Sequence, residues 1–152
     1  MQLDDRLIHR CQILSDSFAR LLGRPLLPGL PTDGRALAQA LYDAPVVIVS
    51  HATEADPVFW FANRAAQALW EMDWERFTRT PSSLSAGPEE RATREALLRR
   101  AAERGYIEDY RSVRVSASGR RFAIEGVVLW DLTDEGGVHF GQAATFARWT
   151  HL

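Results

Sequence analysis

His51 and Asp56 are the pair whose types and spacing most directly suggest chemistry. An imidazole and a carboxylate held across a short loop can form an acid–base pair. A histidine at a strand end and an aspartate before Pro57 can equally serve to shape that loop. The residues alone leave both readings open. Ser50 precedes His51, but neighbours on a strand point to opposite faces, so they form no nucleophile–base pair. Cys11 is the sole cysteine, which excludes an internal disulfide and a thiolate metal cage. All 18 basic residues are arginine. Without lysine there is no Schiff-base nucleophile and no phosphate-loop lysine. The patterns G-x-x-x-x-G-K-[ST], H-E-x-x-H and G-x-S-x-G are also missing. No catalytic set and no metal site is assigned.

These residues sit on elements that the apolar spacing outlines. Leu7, Cys11, Leu14, Phe18 and Leu21 recur at intervals of 4, 3, 4 and 3, which lines one face of a helix over residues 3–22. Gly23 and Pro25 stop it. The stripe can pack on its own domain or form the seam of a homodimer. Residues 24–34 hold three prolines and two glycines and read as a linker whose leucines lie against the body. Asp33 caps a short helix to about Tyr42.

The period then changes. Residues 45–50 are apolar and β-branched, a buried strand, and Val58–Phe61 is a second. Asn63 stands at the N-cap of a helix through Trp70, and residues 74–77 add a helical turn. Pro88 opens a helix to about 104, with Glu90–Arg94 and Glu95–Arg99 pairs and a thin edge of Leu97, Leu98 and Ala101. Three antiparallel strands follow over 107–116, 120–132 and 138–149. On simple alternation Phe122, Ile124, Val128 and Trp130 share one face of the middle strand, and Val127 and Leu129 the other.

The chain has 152 residues and a formal net charge of −2, enough for one packed core. The charge gives no sign of nucleic acid or an anionic membrane as partner. No apolar run reaches the roughly 20 residues of a membrane span, and the first residues lack the pattern of a signal peptide. The expected location is cytoplasmic.

Two strands, short helices, a longer helix and three antiparallel strands follow the order of a PAS domain. Within that fold the chain resembles the MEKHLA domain family. The resemblance is carried by Ser50-His51, Asp56-Pro57, residues 62–66 (ANRAA), 81–86 (PSSLSA), 105–110 (GYIEDY), 119–122 (GRRF) and 141–146 (GQAATF). It implies an α+β fold, a PAS-like five-stranded antiparallel sheet with helices on one face and an N-terminal helix. Residues 1–34 form the helix and Pro-rich linker, and 35–152 the PAS-like domain. Plant members attach the domain to a homeodomain and zipper; neither is found here, so their DNA-binding role does not carry over.

The resemblance also frames the function. PAS domains sense small molecules or serve as interaction modules, and fold alone does not decide which. Flavin photosensors of this fold need a cysteine after the second strand, where this chain has residues 80–84 (TPSSL). Their pocket amides fall near Arg114, Ile124 and Ala143. Haem sensors use a histidine of the long helix, and 88–104 contains none. Flavin and haem are therefore disfavoured and no cofactor is assigned. In the PAS register Tyr110, Ser112 and Arg114 face inward. The ligand site implied comprises Asp56, Asn63, Tyr110, Arg114, Phe122, Ile124 and Val128. An inward arginine is costly unless paired, either with Asp56 or with an anionic group of a small organic ligand; the alternative is that it snorkels at the sheet edge. The expected function is a non-enzymatic sensory module that dimerises through the α-helical stripe and the outer sheet face. The alternatives are a ligand-free interaction module and a small cone-shaped enzyme using His51 and Asp56.

Overall fold

The computed structural model describes residues 1–32, 34–85, 99 and 103–152. The expected Asp33 cap and almost all of the helix expected over 88–104, including its ion pairs and apolar edge, lie outside these residues. The elements are α1 (Asp5–Leu22), α2 (Gly34–Asp43), β1 (Val47–Ala52), β2 (Phe59–Ala62), α3 (Arg64–Trp70), α4 (Trp74–Phe77), a 3-10 turn (Ser82–Ser85), β3 (Tyr106–Val115), β4 (Arg121–Thr133), β5 (His139–Phe146) and β6 (Arg148–His151). The strands form one antiparallel sheet in the order β2-β1-β5-β4-β3, with β6 also pairing with β4. The expected five strands become six because the last one breaks at Ala147, and its end crosses to the first half of β4.

Alternation along β1 divides the core. Val47 and Val49 point to an inner side with Ala66, Leu69, Trp70 and Phe77 from α3 and α4. Ile48 points to an outer side occupied by α1 and α2. There Leu7, Cys11, Leu14 and Phe18 are buried against Trp130 and Leu132 of β4 and Leu37 and Leu41 of α2. Each fully buried leucine or phenylalanine contributes about 1.5–3 kcal/mol. The stripe expected as a dimer seam is thus taken up inside the protein, and only Leu21 remains half-buried. Cys11 and Leu14 have no exposed surface and Leu7 and Phe18 very little, so the stripe has no free face to offer a second copy. Polar contacts fix the same helix. Trp130 Nε1 donates to the Leu14 carbonyl at 3.1 Å, and the Phe18 and Trp130 rings meet edge to face at 4.9 Å. Burial pushes the Cys11 thiol up to about 12, so it is an inert core residue. Residues 1–22 are in this sense part of the domain core. Among the described residues no helix is long and apolar enough to cross a membrane.

The face assignment along β4 differs from simple alternation. Tyr110 pairs with Val127 but Ser112 with Ile124, so two residues of β3 oppose three of β4. The extra residue is at Gly126, whose φ of +65° an L side chain rarely adopts. Beyond this bulge the faces swap. Val127 and Leu129 join Phe122 and Ile124 on the inner side, while Val128 and Trp130 face α1. Val128 therefore does not belong to the inner pocket.

Candidate functional site

The inner face holds a cavity between the sheet and its helices. Its apolar floor is Val49, Ile124, Val127, Leu129, Ala144 and Phe146; Phe59 and Trp70 wall it. Its polar groups are Arg114, His51, Gln142 and Ser85. The free volume is about 40 Å³, room for roughly three waters.

Arg114 is only 6% exposed. Its position follows from the β3 alternation, which turns Tyr110, Ser112 and Arg114 inward together. Nη1 donates to Ser112 Oγ and, at 3.2 Å, to the Val113 carbonyl. Nη2 donates to the Tyr110 hydroxyl at 3.4 Å, and the guanidinium carbon lies 5.8 Å from that ring. These bonds use three of the five N–H groups of an arginine. Nε–H and one Nη2–H have no partner among the described residues, and no carboxylate there lies within ion-pair distance. All the acceptors are neutral, so among the described residues the positive charge is uncompensated, a costly state for a buried cation.

Asp56 is not that counter-charge. It sits on the exposed β1–β2 loop, outside the cavity, with the Ser83 hydroxyl at 3.5 Å. His51 and Ala52 still pair with Gln142 and Gly141 of β5, and the loop beyond them exposes residues 53–56, so the carboxylate stands in solvent. His51, by contrast, is buried in the cavity wall. Its Nδ1 lies 2.8 Å from the Ala52 carbonyl. A carbonyl only accepts, so Nδ1 carries the proton and Nε2 is the acceptor in the neutral ring. The expected His51–Asp56 acid–base pair is therefore not assembled.

Asn63 is fully buried and structural. Its Oδ1 accepts from the Ile48 and Ala66 amides at 3.1 Å each, and its Nδ2 donates to the Leu41 and Val46 carbonyls at 3.1 and 2.7 Å. The N-cap of α3 is thereby also the clamp joining β1, α2 and α3, and no hydrogen-bonding capacity is left for a ligand. Tyr110 supports Arg114 without lining the cavity. Phe122 is packed against Trp70, ring centroids 5.2 Å apart, below it. Of the expected ligand residues, Ile124 and Arg114 line the cavity.

The residue that simple inspection of the strand missed is Gln142. It shares the inner face of β5 with Ala144 and Phe146, one position from the Ala143 site at which a flavin-type amide was expected. Gln142 Nε2 donates to Asp131 Oδ1 at 2.9 Å, and the two residues are cross-strand partners. His139 Nε2 lies 3.6 Å from the same oxygen. The period-2 phase set by Phe146 and Ala144 could have found Gln142.

Comparison with known proteins agrees with this geometry. The MEKHLA domain model matches residues 8–151. No curated protein is significantly similar in sequence. The fold is similar to a PAS domain from Colwellia psychrerythraea, with a TM-score of 0.63 and 15% identity over 76% of this chain and 92% of that one. It is also similar to a light-oxygen-voltage domain described with a flavin analogue, with a TM-score of 0.60 and 17% identity over 77% and 84% of the two chains. A PAS domain of a two-component sensor histidine kinase aligns with a TM-score of 0.57 and 16% identity over 75% and 91%.

Proposed function

The chain belongs to the MEKHLA domain family and has the PAS fold, and from that premise we propose that it is a sensory module whose cavity takes a small carboxylate on Arg114, with no catalysis of its own. The observation that carries this reading is the buried guanidinium, which lines the cavity with two N–H groups unmatched and no carboxylate beside it among the described residues. A carboxylate supplies both the charge and paired acceptors that a guanidinium fork binds. The surrounding walls are apolar, as in most small-molecule sites. The free volume of about 40 Å³ favours a compact or narrow molecule over the large flat ring systems of flavin or haem. His51 and Asp56 standing apart argues against the acid–base enzyme.

Dimerisation belongs to the same proposal with a changed surface: a homodimer would use something other than the α1 stripe. Native mass spectrometry of freshly purified protein tests both parts. The reading expects monomer or dimer masses carrying an added organic acid of low mass, or taking up added propionate. Protein that takes up no carboxylate supports instead the ligand-free interaction module.

A further inference from the structure

The aromatic walls of the cavity are locked by their own neighbours. Trp70 Nε1 donates to the Ser85 carbonyl at 3.3 Å. The Trp70 ring meets Phe77, Phe122 and Phe146 edge to face, with centroids 5.7, 5.2 and 6.2 Å away. All three of those rings are buried in turn. Phe59, the other aromatic wall, packs on Phe77 at 4.9 Å. A wall set in so close-packed an interior does not give way to an extra methylene without strain. On the floor, Ile124 is the cross-strand partner of Ser112, whose hydroxyl accepts from Arg114, so it stands at the level of the guanidinium. We infer that Trp70 and Ile124 set a ceiling on ligand size, so that the cavity selects monocarboxylates of two or three carbons and rejects longer chains. This rests on the reading that Arg114 holds the carboxylate.

The free volume of about 40 Å³ fixes where the ceiling falls. It has room for roughly three waters, which as liquid take up about 90 Å³. A carboxylate group fills about two of those places and leaves about one for carbon, at one water's volume each. A methyl group fits there, and an ethyl group fits tightly. The chain-length trend is therefore opposite to that of an open apolar groove. In a groove each added methylene strengthens binding, by roughly 4-fold. In a closed cavity the next methylene overpacks the walls and weakens it.

The test titrates acetate, propionate, butyrate and hexanoate calorimetrically into wild type, Ile124→Val and Trp70→Phe. Wild type should bind acetate or propionate tightest, with butyrate and hexanoate roughly 10-fold or more weaker than propionate. Ile124→Val removes one methylene from the floor and should move the optimum to a longer acid. Trp70→Phe opens the wall and should move it at least as far. Ile124→Val, the smaller truncation, decides the matter if Trp70→Phe does not fold. Affinity that climbs with every carbon through hexanoate overturns the inference and leaves the Arg114 reading standing. An optimum that stays in place in the folded variants overturns it as well. Binding of none of these acids overturns both readings.

Discussion

Ser17 Oγ of α1 accepts from the Thr133 amide at 3.2 Å and lies 3.3 Å from the Thr133 carbonyl, to which it donates. One fully buried hydroxyl thus satisfies both backbone groups at the end of β4. Ser17→Ala strands them, and a buried unsatisfied group costs about 1–3 kcal/mol. Thermal unfolding should show that loss. Phe18→Ala, in the same layer, should cost about 3–5 kcal/mol. Deleting residues 1–22 should strongly destabilise the protein; a deletion product as stable as wild type would contradict the docking of α1.

Asn63 should tolerate neither alanine nor aspartate. Alanine removes a cap worth about 1 kcal/mol and leaves buried amides and carbonyls unpaired, at about 1–3 kcal/mol each before relaxation. Aspartate keeps the acceptor but turns two donated bonds, to the Leu41 and Val46 carbonyls, into acceptor–acceptor contacts. Denaturant unfolding should rank both variants well below wild type. Near-wild-type stability of Asn63→Asp would refute the clamp.

Gly141 marks the tightest approach of two strands. A Cβ there would lie 2.3 Å from the His51 carbonyl oxygen, a backbone atom that cannot swing aside. Gly141→Ala should push β5 from β1 beside His51 and Gln142, costing at least about 1–3 kcal/mol as an overpacked contact. Carboxylate binding should weaken with it. Unchanged melting would place the strands further apart than they are here.

Glu71 gives a pH signature. Hydrogen bonds from Ser116, at 2.5 Å, and from Ser118 hold its carboxyl below the usual glutamate range. A pKa lower in the folded state stabilises above the ordinary glutamate value, and the contribution disappears as pH falls through the folded value. Wild type should melt above Glu71→Gln at pH 7, with the gap closing in acid. A gap that is constant or grows in acid would contradict the assignment.

Much of this architecture is legible in the residues. The 4-3-4-3 stripe locates α1, Asn63 announces α3, and the β3 alternation turns Arg114 inward. What local pattern misses is decided by single backbone events. Gly126 reads as one more small residue in a strand, yet its positive φ transfers Val127 and Leu129 to the cavity and Val128 to α1. Asp56 precedes a proline in a motif typical of the family, but it stands on an exposed loop beyond β1, outside the cavity that Arg114 lines. The stripe of α1 has the same spacing whether it faces its own sheet or another copy; only the tertiary position of Trp130 and Leu132 decides between them.

The central claim is that Arg114 binds a carboxylate, and calorimetric titration of propionate into wild type, Arg114→Lys and Arg114→Met tests it most directly. A charge-assisted bond contributes about 1.5–3 kcal/mol, so Arg114→Met should bind roughly 10- to 150-fold more weakly. Arg114→Lys, which keeps the charge without the fork, should fall between. Both variants should remain folded, since no carboxylate beside Arg114 among the described residues is stranded. Equal affinity in all three proteins, or no binding by wild type, would contradict the account.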